Sequence, residues 1–73
     1  MGNVLSNAGR GDEFEIDSVP DETVRAKLLR LGFLDGAVEC RSRVRNGPVV
    51  VRRNGTELAI GASMADRITI HRT

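Results

Sequence analysis

Lys27-Leu28-Leu29-Arg30-Leu31-Gly32-Phe33-Leu34-Asp35-Gly36 reads as the end of a helix followed by a turn. Val24, Leu28 and Leu31 recur at i, i+4 and i+7 with Leu29 beside them, while Arg25, Lys27 and Arg30 keep to water. Gly32 supplies the left-handed residue that closes a helix, and Leu31 is expected to seal the helix onto the core. Asp35-Gly36 then turns the chain, with Gly36 opening the next strand.

Upstream, Ser18-Val19-Pro20-Asp21-Glu22 carries helix-start chemistry: Ser18 or Asp21 can cap, and Asp21 and Glu22 suit the positive end of the helix dipole. Before it, Phe14 and Ile16 alternate with Glu13, Glu15 and Asp17, the two-residue period of a half-buried strand. Downstream, Val38, Cys40 and Val44 alternate with Glu39, Arg41 and Arg43, predicting a second strand. Asn46-Gly47-Pro48 marks a turn, Val49 to Val51 a third strand, Asn54-Gly55 a tight hairpin, and Leu58 to Ile60 a fourth strand. Ser63 and Asp66 have capping-box spacing for a short helical turn, after which Ile68 and Ile70 alternate in a fifth strand.

The expected fold is mainly β: a small barrel of five antiparallel strands, with one α-helix between strands 1 and 2 and a short helical turn before strand 5. Residues 1–11 read as a flexible leader and 12–73 as a single domain. At 73 residues with two phenylalanines, a domain of this kind has no room for a deep catalytic cleft.

Composition removes further classes. The longest apolar run is three residues, far short of the ~20 that span a bilayer. The first ten residues lack the apolar stretch of a secretory signal, so a cytoplasmic location is expected. Gly2 and Ser6 fit a loose acylation pattern, and Arg10-Gly11-Asp12 and Asn54-Gly55-Thr56 spell short motifs; these read as leader and turns. Cys40 is the sole cysteine and falls on the inward phase of its strand, as a buried core thiol does.

Eleven basic and ten acidic residues nearly cancel, but unevenly. Residues 12 to 22 hold six acids and no base; 41 to 53 hold Arg41, Arg43, Arg45, Arg52 and Arg53 and no acid. The arginines would form one basic strand face, the basis of an alternative nucleic-acid-binding reading. Without tyrosine or tryptophan to stack on bases, and with acids available to pair with the arginines, no nucleic-acid partner is expected. The acids could hold a divalent cation weakly, yet neither a fixed metal site nor a catalytic grouping stands out.

Leu31-Gly32-Phe33-Leu34-Asp35-Gly36, with the Ser63 to Ile70 ending, resembles the FeoA family of small proteins of ferrous iron uptake. The likeness runs over about residues 12–72. It departs at Arg45-Asn46-Gly47-Pro48, which is shorter than the family's loop and lacks its acid. The resemblance implies an SH3-like barrel and a non-enzymatic, cytoplasmic accessory to the FeoB permease, whose cytosolic part is a GTPase. It implies no resident cofactor, with weak binding of ferrous or another divalent metal as an alternative. Leu31, Gly32 and Gly36 are its structural positions. Phe33 and Leu34 are expected at the partner contact, because two bulky groups just past a helix end do not both fit a small core. The exposed strand edges of a small barrel make a homodimer the other expected partnership.

Overall fold

Alternation along Glu13–Ser18 turns Phe14 fully inward with Glu13 and Glu15 in water, and this strand lies inside the sheet with a neighbour on either side. The computed structural model describes residues 3–72. Their order is β1 (Asn3–Val4), a 3-10 turn (Leu5–Asn7), β2 (Glu13–Ser18), α1 (Glu22–Arg30), β3 (Val38–Arg43), β4 (Val49–Arg53), β5 (Thr56–Ile60), α2 (Ala62–Ala65) and β6 (Thr69–Arg72). All strands pair antiparallel in one sheet, β1-β6-β2-β3-β4-β5.

The five expected strands, the helix and the short helical turn are all present, in a small open SH3-like barrel whose end strands β1 and β5 do not pair. The sixth strand is the correction. Asn3 and Val4 pair with Ile70 and Thr69, Leu5 donates its N–H to the Ile68 carbonyl at 2.8 Å, and the Leu5 and Ala8 side chains are wholly buried. Residues 3–8 are therefore part of the domain rather than a leader. Gly2 of the acylation-like pattern lies outside the described residues.

Asp12 fastens this segment. Its Oδ2 accepts from the Gly9 N–H at 2.8 Å and from Arg72 Nη2 at 3.1 Å. Those two donors hold the Asp12 carboxyl below the usual carboxylate range. The lowered folded value means that its stabilisation is present above the ordinary aspartate pKa and is lost as pH falls through the folded one.

α1 starts as expected, with Asp21 Oδ1 accepting from the Val24 N–H at 2.9 Å. α2 does not: Gly61 is its N-cap, no side chain caps it, and Ser63 lies inside the helix, so the capping box is absent. The Asn54-Gly55 hairpin has the expected two left-handed residues, φ 51° and 82°, of a type I′ turn.

Two bulges break the strict alternation. Ile16 pairs with Ile70 and Ser18 with Thr69, leaving Asp17 extra; Cys40 pairs with Val51 and Ser42 with Val50, leaving Arg41 extra. The second bulge ends the inward run of β3 early, so Val44, expected on the apolar face, stands 57% exposed.

Candidate docking surface

The turn after α1 is a Schellman motif. Gly32, at φ 84°, donates its N–H to the Leu29 carbonyl at 3.1 Å, and Phe33 donates to the Leu28 carbonyl at 2.9 Å. In this motif the residue after the left-handed glycine packs against the helix residue whose carbonyl it caps. Phe33 and Leu28 are accordingly both fully buried. Phe33 is thus a core residue and not a partner contact. Leu34 is half-buried against the core. Leu31 does not seal the helix: as its C-cap it stands 37% exposed, and Leu29 on the last turn is 52% exposed.

Gly36 does not begin β3, which starts at Val38. It is a socket. A Cβ there would lie 3.0 Å from the Arg53 guanidinium, which crosses from the end of β4 to the turn. Arg53 Nε donates to the Gly32 carbonyl at 2.9 Å and Nη1 to the Ala37 carbonyl at 2.8 Å. The side chain thereby ties residues 32–37 to the β4–β5 hairpin. Arg53→Ala should cost about 1–2 kcal/mol in urea denaturation. Arg53→Lys should recover less than half, because one ammonium does not reproduce the planar fork that spans two carbonyls.

The remaining arginines do not form one basic face. Arg41, the bulged residue, lies 3.6 Å from Glu39 and 3.7 Å from Glu57. Arg52 pairs across the sheet with Glu39 and Glu57, on the outer face. Arg43 sits opposite the buried Val49, and so on the other face at the far end of β4 from Arg53. The bulge at Arg41 separates residues that a two-residue period would align.

The acids are dispersed too. Asp12 and Asp21 hold backbone N–H groups, Glu13 and Glu15 are exposed, and Asp17 is the bulge residue beside Thr69. Among the described residues no three His, Cys, Asp or Glu side chains converge as metal ligands. Cys40 is a fully buried thiol; burial, with the Asp12 charge second, pushes its pKa up, and Sγ contacts the Ser42 carbonyl at 3.7 Å. No helix of the described residues is long and apolar enough to cross a membrane.

Large apolar side chains are exposed at the C-terminal end of α1. Leu29 and Leu31 stand in solvent on either side of the exposed Arg30, and Leu34 follows the turn. Sequence reasoning expected Phe33 and Leu34 at the surface together; the structure buries Phe33 and leaves Leu29 and Leu31 exposed. The signal that distinguishes them is the Schellman geometry itself, which assigns Phe33 to Leu28 and leaves Leu29 without an inward partner.

Comparison with known proteins agrees with this architecture. A solved structure of an iron uptake regulatory protein (FeoA) superposes with a TM-score of 0.80 at 25% identity, over 100% of both chains. The FeoA protein from Chlorobium tepidum superposes with a TM-score of 0.80 at 30% identity, over 94% of this chain and 69% of that one. An FeoA-like protein from Clostridium acetobutylicum, at 22% identity, shares the fold with a TM-score of 0.72 over 97% of this chain and 86% of its own. No curated protein matches the chain. The FeoA domain model matches residues 4–72, taking in β1 residue Val4 and the buried Leu5 as well as the turn after α1, and the chain belongs to the FeoA family.

Proposed function

We propose that this protein is a non-enzymatic, cytoplasmic accessory of ferrous iron transport that docks on the cytosolic part of a FeoB-type permease through the C-terminal end of α1. Family membership supports the iron role. The observation that carries the docking reading is the exposure of Leu29 and Leu31, 52% and 37%, at a helix end with the exposed Arg30 between them. Apolar groups rimmed by charge at the end of a rigid element suit a protein contact. Leu34 belongs to this surface; Phe33 supports it from beneath.

The test is an NMR titration of the labelled chain with the permease's cytosolic GTPase domain. Wild type should show saturable shifts around Leu29, Leu31 and Leu34, and Leu29→Lys should weaken binding at least tenfold while leaving the melting temperature nearly unchanged. Absence of shifts at high micromolar concentrations removes the docking reading.

A further inference from the structure

We propose that the free edge of β5 and the groove beside it form a second docking site, which accepts an extended peptide segment of another protein carrying an aliphatic side chain and a carboxylate. This rests on the strand edge and the groove, not on the iron reading.

β5 ends the sheet and pairs on one side only, with β4. In a two-residue hairpin the closing pair, here Arg53 and Thr56, exchanges both hydrogen bonds, and bonded pairs then alternate. Val51–Leu58 and Val49–Ile60 are therefore the next bonded pairs. The N–H and C=O groups of Glu57 and Ala59 point away from β4, the template onto which an extended peptide adds as a strand.

Beside this edge, between β5, α1 and the start of α2, lies a concavity of about 150 Å³ lined by Val24, Lys27, Leu58, Ile60 and Met64. It is mostly apolar and of the order of one branched aliphatic side chain. Strand addition sends alternate side chains to the same face, so a bound peptide can set one apolar group here while its backbone pairs with β5.

Charge selects the occupant. Lys27 is the one charged residue lining the groove, and among the described residues no carboxylate lies within ion-pair distance of it. A second copy of β5 is a poorer fit. Its only acid, Glu57, is already held by Arg41 at 3.7 Å, so it offers Lys27 no free carboxylate. Lys27 lies about 200° round the helix from Leu29 at 100° per residue, so Leu29 faces away from the groove, whereas Leu31, four residues past Lys27, lies towards its side.

The experiment is an NMR titration of the full labelled chain with the capped hexapeptide Ac-Thr-Val-Thr-Ile-Asp-Thr-amide. Saturable shifts of the Lys27, Glu57, Ala59 and Met64 amides are expected by millimolar peptide. Replacing the peptide's Asp by Asn, or Lys27→Gln in the protein, should each weaken binding about two- to five-fold, the range of one exposed ion pair. Backbone N-methylation of the peptide should abolish binding. So should Ala59→Pro, which removes an outward N–H while sparing the β4 ladder. The proposal is overturned if no shifts appear, if they fall only around Leu29, or if the N-methylated peptide binds equally well. Concentration-dependent shifts of the same amides without peptide also overturn it, since they assign the edge to a second copy.

Discussion

Phe33→Ala should lower the melting temperature by about 12 °C or more, a loss of about 3–5 kcal/mol, and leave a chain with collapsed amide dispersion at 37 °C. The ring has no exposed surface, and its backbone N–H closes the Schellman motif onto Leu28, itself wholly buried. Truncation removes the largest of the hydrophobic groups, with Leu28 and Val24, that hold α1 and its closing turn to the core. A domain of this size buries about 60% of its unfolded surface and has few kcal/mol in hand. Phe33→Leu, which keeps most of the volume, should cost under half as much. An unchanged melting temperature for Phe33→Ala, measured by circular dichroism, would return Phe33 to the surface.

The second large effect is near the start of the chain. Leu5→Ala should cost about 2–5 kcal/mol in urea denaturation, comparable with a substitution in β4. Leu5 is fully buried, its N–H pairs with the Ile68 carbonyl, and its carbonyl accepts from Ala8 at 3.0 Å. The 3-10 turn that carries it packs against α2, so a cavity there loosens the approach to β6 as well. The neighbouring half-buried Ser6 and exposed Asn7 tolerate change by comparison. Native-state hydrogen exchange offers an independent check: the Leu5 amide should be protected nearly as well as those of β6.

The parts of this fold legible in the sequence are those whose chemistry is local. Asp21 caps α1 because a carboxylate three residues before an amide can reach it, and Gly32 and Asn54-Gly55 adopt left-handed backbone because side-chain sterics leave few alternatives. What was not legible depends on partners far along the chain. Leu5 sits among small and polar neighbours with no periodicity, and only Ile68, 63 positions later, makes its segment a strand entry. The bulge at Arg41 leaves no composition signal, yet it decides that Val44 and Arg43 leave the pattern set by Val38 and Cys40. The turn after α1 stood out in the sequence through Phe33 and Leu34, two bulky groups just past the helix end. Which leucine faces solvent followed from the closing hydrogen bonds of the helix, one level below the hydrophobic pattern.

Gly36 gives the turn after α1 a meaning that its spacing conceals. Its missing side chain makes room for a cation from position 53, and that cation grips the carbonyls on either side of the gap, at Gly32 and Ala37. Half of what the two glycines specify is therefore written in the hairpin rather than in the turn. Gly36 and Arg53 behave as lock and bolt: altering the shape of one changes what the other is free to be, although 16 residues stand between them.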